Sequence, residues 1–448
     1  MTHIENLSRR GFLKSVGVSS GVLVIGTAIP SMSFAYSEGS TAENAAHQLS
    51  VFVSIAEDGI VTLVNHRSEM GQGIRTSIPQ IIAEELAANW DYINVVQAQA
   101  DRKYGPQGTA GSGSIRRFFI HVRQLGAVVR DMLEQAAANI WQVNKSEVSA
   151  INHFVVHKKT GQQIAFGELA KHAAKLEIPV AEDVKLKSVN DFSLIGTDVK
   201  QVDLPTIIAG KMEYSHDVQL PDMLIASIER PLVVGGKVKS FDATAAKKVK
   251  GVVDVIQLKE RSLPAGVFPK SGIAVVATNT WAAIEGRKKL KITWLNGDNQ
   301  VHNSESYRDD LKKLVNKKGI NVNRKGDVYQ HNYDPERTLE ATYSVPYLHH
   351  APMETPAATA VIKDGGCIIW AGTQNPQWGK GLVLEELGLS REQADKVEFN
   401  VVTMGGAFGR KSKGDYILEA VELAKVTSKP VKVIWSREDD IQHGFYHS

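Results

Sequence analysis

One stripe of apolar residues limits the folds open to this chain more than any other feature. Phe118, Val122, Leu125, Val129, Met132, Ala136 and Ile140 recur at three- and four-residue steps, one face of a long helix over residues 115–141. Such a face has to be buried against a second layer of structure. Short strand patterns lie just before it: 51–55 and 60–64, joined by Glu57-Asp58-Gly59, read as a β-hairpin, and 93–96 as a further strand. Between them, Thr76 or Ser77 is the expected cap of a helix with Pro79 in its first turn, running to Trp90. Arg116, Arg117, Arg123 and Arg130 fall off the apolar stripe, so solvation is the role expected of them. The pattern is that of an α+β, mixed α/β chain.

The rest of the chain divides by texture. Residues 210–294 carry short strands and turns: strands at 252–256 and 272–277, a helix 280–290 capped by Asn279, and a strand 291–294. Residues 296–334 are polar and charged, a linker. Beyond them come strands at 366–370 and 397–403, the turn Gly405–Gly409, a helix 415–427 ended by Pro430, and a strand 431–435. A length of 448 residues suits roughly three domains of about 150 each.

The first 35 residues read as an export signal. Ser8-Arg9-Arg10-Gly11-Phe12-Leu13-Lys14 matches the twin-arginine pattern, and the apolar run 16–28 is too short for the ~20 residues of a spanning helix. Ser33-Phe34-Ala35 offers a small–x–small cleavage pattern, and 36–50 is a small, polar linker. Export to the periplasm in a folded state follows, with a membrane tether if the signal is retained.

Charge and cysteine content exclude other classes. A net charge of +3 gives no electrostatic reason to expect nucleic acid. The lone Cys367 cannot make an internal disulfide, a Cys-rich zinc site or an iron–sulfur cluster. Any redox chemistry must pass its electrons to something else.

Three glycine-rich segments stand where chemistry is possible. Met70-Gly71-Gln72-Gly73 lies between a hairpin and a helix start, where free N–H groups favour an anion, although a tight turn accounts for two glycines as well. Gly108-Thr109-Ala110-Gly111-Ser112-Gly113-Ser114 runs into the long helix as a dense donor set, or as a flexible loop with a capping serine. Gly405-Gly406-Ala407-Phe408-Gly409-Arg410-Lys411 follows a strand and can bring main chain close to a bulky cofactor, with Arg410 or Lys411 for a phosphate. It has neither P-loop nor dinucleotide-fingerprint spacing. Thr373-Gln374-Asn375-Pro376 follows another strand, and Gln374 can donate to a ligand oxygen. His349 and His350 are adjacent, a poor metal pair, and structural roles are expected of both. Glu69 and Glu354 are acids near these segments, and either could act as a general base or simply face solvent. No Ser–His–Asp set is legible.

The order of these segments, with Ala351-Pro352-Met353-Glu354 between them, resembles the molybdenum-binding large subunit of the xanthine oxidase family, in its isoquinoline 1-oxidoreductase beta-subunit and periplasmic aldehyde dehydrogenase form. Pro231 with Gly235–Ala243 resembles that group's α/β hammerhead domain. The resemblance implies residues 51–205 as the first part of a molybdopterin-binding domain, 206–295 as the hammerhead, and 335–448 as a further, incomplete part. It also implies a molybdopterin cytosine dinucleotide cofactor. Gly71, Gln72 and Gly73 would meet its pyrophosphate and nucleotide portion; Thr109, Ser112 and Ser114 would hold the pterin. Gln374 would bond an oxo ligand on molybdenum, and Gly406, Phe408, Gly409 and Arg410 would lie against the metal face. No side chain here would ligate the metal.

In the family a glutamate deprotonates a Mo–OH, which attacks an aldehyde or N-heterocycle carbon while hydride passes to a sulfido ligand. Electrons leave through [2Fe-2S] clusters on a small partner subunit, with a cytochrome c as a candidate acceptor. The family's catalytic glutamate lies in a segment with no counterpart before Ser448, so no residue of this chain takes that role by motif. Either another polypeptide completes the site or the chain is a truncated, non-catalytic piece. Thr355 also stands where the group commonly has proline.

Overall fold

In the computed structural model, residues 23–27, 50–261, 266–267, 270–323, 325–326 and 334–446 are described. Strand β1 (Leu23–Thr27) pairs antiparallel with β2 (Ser50–Ile55), which pairs in turn with β3 (Val61–Asn65), the expected hairpin. The rest of the expected signal segment lies outside the described residues. Helix α1 (Ile74–Leu86) returns the chain to β4 (Ile93–Gln97), parallel to β3, so the sheet reads β1-β2-β3-β4.

The start of α1 differs from the sequence expectation. Gly73, at φ 75°, is the N-cap, and both Thr76 and Ser77 already lie inside the helix. Glu69 supplies the cap from outside, accepting the Arg75 N–H at 3.0 Å. Pro79 therefore sits within the helix rather than in its first turn. A side chain several residues upstream has moved the start.

The long helix forms over Phe119–Trp141 (α2), preceded by one separate turn at Gly113–Arg116. Its stripe is buried from Phe118 to Ala136, while Ile140 is 43% exposed. The backbones of α1 and α2 meet at Gly126, where a Cβ would stand 2.2 Å from the Ile82 carbonyl oxygen. The same contact corrects the role expected of two arginines. Arg123 and Arg130 are not merely solvated: Arg123 Nε donates to Glu85 at 2.7 Å and Arg130 Nη1 at 3.0 Å. Glu85 is buried, so its charge draws both guanidiniums onto the helix pair.

Strands β5 (Val148–Ile151), β6 (Phe154–His157) and β7 (Gln163–Ala165) form an antiparallel meander, followed by helix α3 (Phe166–Ala173). Glu84, also buried, then holds the following loop on this unit. It accepts from Lys187 Nζ at 2.7 Å and from the N–H groups of Ser193, Leu194 and Ile195 at 2.8, 2.6 and 3.0 Å. Burial pushes its pKa up, but those donors outweigh burial and hold the carboxyl below its ordinary value. A depressed folded pKa adds stability that is present above the unfolded value and lost as pH falls through the folded one. Glu84→Gln should therefore lower stability by about 1–3 kcal/mol at pH 7. The gap from wild type should narrow as pH drops below 4.5, which urea unfolding across pH would show.

The second sheet gathers strands from two distant stretches. β8 (Leu224–Glu229), β10 (Val252–Gln257) and β11 (Ile273–Ala277) come from the middle of the chain. Between them in sequence, β9 (Lys237–Asp242) leaves to form a ribbon with β12 (Lys291–Leu295), and helix α4 (Thr280–Arg287) precedes β12. The polar stretch 296–334, expected as linker, contains an exposed helix, α5 (Ser304–Val315). Next come β13 (Ala357–Lys363), β14 (Gly366–Ala371), helix α6 (Pro376–Leu387) and β15 (Val397–Val401). Helix α7 (Asp415–Thr427), β16 (Val431–Ile434) and helix α8 (Arg437–His443) follow.

The order is β10-β11-β8-β16-β13-β14-β15, with β8/β16 and β14/β15 parallel. Strands from the expected segments 206–295 (β8, β10, β11) and 335–448 (β13 to β16) thus share one sheet. Tyr416, Ile417, Leu418, Val421 and Ala424 of α7 are buried in the core above it.

The first unit docks on the β15 edge. Ala100 N–H donates to Phe399 O at 3.2 Å and Gln99 Nε2 to Asn400 Oδ1 at 3.0 Å. Gln377, at the start of α6, donates to the carbonyls of Asp101 and Gly105 at 3.0 and 2.8 Å. This seam brings the glycine loops together.

Candidate functional site

The loop from Ser68 to Gly73 wraps around the carboxylate of Glu69. Oε1 accepts from the N–H groups of Gly71, Gln72 and Gly73 at 2.8, 2.8 and 3.0 Å, and Oε2 from that of Arg75. The donors expected to meet a pyrophosphate are therefore already satisfied within the loop. Gly71 and Gln72 are exposed, so Gln72 offers a ligand its side chain rather than its amide.

Thr109 and Gln374 form the knot of the site. The Thr109 N–H donates to Gln374 O, and Gln374 Nε2 returns a bond to Thr109 O, both 2.9 Å. The Gln374 N–H donates to Lys411 O at 2.9 Å, and Gln374 Oε1 accepts the Gly409 N–H at 3.0 Å. Thr109 Oγ1 donates to Ser68 O at 3.1 Å, and the Met404 N–H to Glu69 O at 3.0 Å. Four loops that are far apart in sequence are thus one hydrogen-bonded unit. Gly409 must be glycine there, since its φ is 106° and a Cβ would stand 3.1 Å from His350 Nε2. Gln374, expected to face a ligand oxygen, is buried and spends its carbonyl and one N–H on main chain.

Other expected residues divide into rim and interior. Ser112 is exposed and Ser114 half-buried on the rim after Thr109, with Gly406 half-buried opposite. Phe408 is 72% exposed at φ 52°, a strained backbone that presents its ring outward. Arg410 turns the other way and is fully buried. Its Nη1 and Nη2 donate to the two Asp415 oxygens at 3.0 and 2.9 Å. Burial opposes its charge, but Asp415 outweighs burial and raises its pKa. The expectation that Arg410 or Lys411 meets a phosphate is corrected: Asp415 claims the one, and Lys411 Nζ donates to Glu354 Oε2.

The two acids considered as bases are likewise committed. Glu354 Oε1 accepts the Ser215 N–H at 2.8 Å and Oε2 the Gly405 N–H at 2.9 Å, beside Lys411. With Glu69 held by four amides, neither carboxylate is placed to take a substrate proton. His349 Nε2 stands 3.2 Å from Asp440 Oδ2, a structural position. Among the described residues no group of His, Cys, Asp or Glu could hold a metal ion. Burial pushes the Cys367 thiol up to about 12, so it stays protonated.

What remains open suits a large organic ligand. At Gly71, Gly73 and Gly111 nothing lies within 4 Å of where a Cβ would stand. Beneath this rim, Ser68 Oγ and Arg67 Nε are buried without a hydrogen-bond partner among the described residues. A donor set of main chain, amide and hydroxyl, without metal-ligating side chains, fits a cofactor that carries its metal on its own ligand. Sequence reasoning missed the function of Glu69 and Thr373, whose Oγ1 donates to Lys411 O at 2.9 Å. Only their position beside the glycine loops could have signalled either.

Comparisons with known proteins agree with this description. The molybdopterin cofactor-binding domain matches residues 5–204 and, in a second form, residues 312–446. The chain is 30% identical to the isoquinoline 1-oxidoreductase beta chain of Brevundimonas diminuta, over 97% of this chain and 60% of that protein. It is 31% identical to a membrane-bound aldehyde dehydrogenase [pyrroloquinoline-quinone] of Gluconacetobacter polyoxogenes, over 99% and 57%. A nicotinate dehydrogenase subunit of Pseudomonas putida is 27% identical over 98% and 36%. The chain therefore spans less than two thirds of the length of each of these relatives. Matched by this domain in two stretches and by these relatives along nearly its whole length, the chain belongs to the molybdopterin cofactor-binding domain family.

Proposed function

We propose that this chain is the cofactor-binding part of a periplasmic molybdenum hydroxylase that oxidises an aldehyde or an N-heterocycle. The observation that carries the proposal is the knot of Thr109, Gln374 and Gly409, which joins the glycine loops into one open-rimmed cradle. The names of the relatives support both substrate classes.

In this proposal the cofactor is the cytosine dinucleotide form. The Gln72 side chain, the open space over Gly71 and Gly73, and the rim at Ser112 and Ser114 take its organic part. Gly406, Phe408 and Gly409 shape the opposite wall. The chemistry, two-electron oxidation of a substrate carbon with oxygen transfer, is what the bound cofactor supplies. This chain's own residues bind and orient: Gln374 and Thr109 fix the distance between walls, and Glu354 with Lys411 braces the loop behind Gly405. The committed state of Glu69 and Glu354 supports a proton acceptor contributed by a polypeptide segment outside this sequence. That two of the relatives are named as subunits supports electron transfer to a small [2Fe-2S] partner subunit, with a cytochrome c downstream. The twin-arginine pattern around Arg9 and Arg10 supports export with the cofactor already inserted. Within this proposal residues 206–295 are the hammerhead domain, built into the larger sheet. A non-catalytic fragment with no cofactor is the competing reading.

Elemental analysis and nucleotide chromatography of the chain purified from its own host test the proposal. About one molybdenum and one cytosine nucleotide per chain are expected. Protein without molybdenum, or with a quinone instead, would sink it.

A further inference from the structure

The nest of amides at the start of α1 would suit a ligand phosphate if it were empty, and it is filled from within. Four N–H groups, those of Gly71, Gln72, Gly73 and Arg75, converge on one buried carboxylate. Four cations near it are each held by at least one other group, Arg67 with its Nε left over. Arg75 Nε is paired with Asp203 at 2.9 Å. Arg67 Nη1 donates to Pro106 O at 2.9 Å, and its guanidinium carbon lies 4.3 Å from the centre of the Phe118 ring. Arg410 is held by Asp415 and Lys411 by Glu354. What the loop leaves outward is the exposed Gln72 side chain.

Resting on the proposed cofactor site, we infer that Glu69 is a positioning residue. Its carboxylate, and no phosphate of the ligand, fills the amide nest and so fixes the loop that presents Gln72 to the cofactor. The main-chain link from Met404 N–H to Glu69 O extends this control to the Gly405–Gly409 wall. Four charge-assisted bonds to one acceptor make the loop rigid before any ligand arrives. Anionic parts of the cofactor are then left to the exposed rim at 110–112.

The test compares wild type with Glu69→Ala and Glu69→Gln, each purified from the native host. Hydrogen exchange over residues 70–76 and molybdenum per chain are measured together. In Glu69→Ala, exchange at 71–75 should rise about tenfold or more, with a parallel fall in molybdenum, while β13 and β14 keep their protection. Glu69→Gln keeps an acceptor for the three glycine-loop amides and should retain most of both. If the alanine variant loses protection everywhere, the glutamine variant decides between them: retained fold with lost metal would overturn the role. Faster exchange with unchanged molybdenum would overturn it too. So would an alanine variant whose 71–73 amides are protected only when molybdenum is present, since a ligand phosphate would then occupy the nest. Wild type that carries no molybdenum would overturn the reading of the site itself, and the positioning role with it.

Discussion

Arg230→Met should cost about 3–5 kcal/mol at pH 7, enough to leave much of the chain unfolded. Arg230 and Glu419 are both fully buried, and Nε and Nη2 donate to the two carboxylate oxygens at 2.9 and 2.7 Å. Trp435 closes the cluster: its indole N–H donates to Glu419 at 2.8 Å, and its ring lies 3.9 Å from the Arg230 guanidinium carbon. Asp439 stands a further 3.6 Å from the same arginine. Burial raises the Glu419 pKa even with Arg230 pulling it down. Without that arginine the folded pKa rises further, so the folded variant gains stability as pH falls and Glu419 takes up a proton.

Two measurements separate charge from packing. The loss should shrink between pH 7 and 5 in urea unfolding. The double variant Arg230→Met/Glu419→Leu should recover part of it, because no unpaired charge stays buried. Recovery should stop short of wild type, since the Trp435 N–H would lose its acceptor. A single-variant loss under about 1 kcal/mol would mean that the pair is solvated after all.

Gln374→Ala is expected to do the most damage to the site. It leaves the Thr109 carbonyl and the Gly409 N–H without partners, each costing about 1–3 kcal/mol when buried. A loss of about 2–4 kcal/mol in stability should come with at least a tenfold fall in retained molybdenum. The larger effect is on the cofactor, because this side chain bonds Thr109 on one wall and Gly409 on the other. Gln374→Glu is the sharper control. It keeps an oxygen for Gly409 but sets a carboxylate oxygen against the Thr109 carbonyl, so metal should still be lost at pH 7. Undiminished molybdenum in either variant would show that the loops hold together without Gln374.

Local structure was legible in the sequence where it depended on neighbours. The stripe from Phe118 to Ala136 is a helix because its own periodicity makes it one, and the strands expected at 366–370 and 431–435, found at Gly366–Ala371 and Val431–Ile434, followed from their apolar runs and bounding turns. The glycine loops were found for the same reason. What escaped was settled across distance. Nothing near Arg123 or Arg130 shows that Glu85 on another helix is buried and awaiting them. The helix start at Ile74 depends on the Glu69 side chain reaching its amides. Arg410 looked available for a phosphate because Asp415 only becomes its partner once the turn at Gly409 folds the chain inward. The pairing of β8 with β16 had no local signal at all.

That last pairing carries a consequence for how the molecule is made. β16 occupies the middle of the seven-stranded sheet, between β8 and β13, yet follows both in the chain. Until the ribosome has delivered Val431–Ile434, β8 and β13 each have an open edge, and the sheet is two unjoined pieces. Such a topology nucleates late and slowly, since long loops must close before the centre is rewarded. During synthesis those edges are exposed to other chains. In a nascent protein of this design that exposure ends only when the central strand arrives.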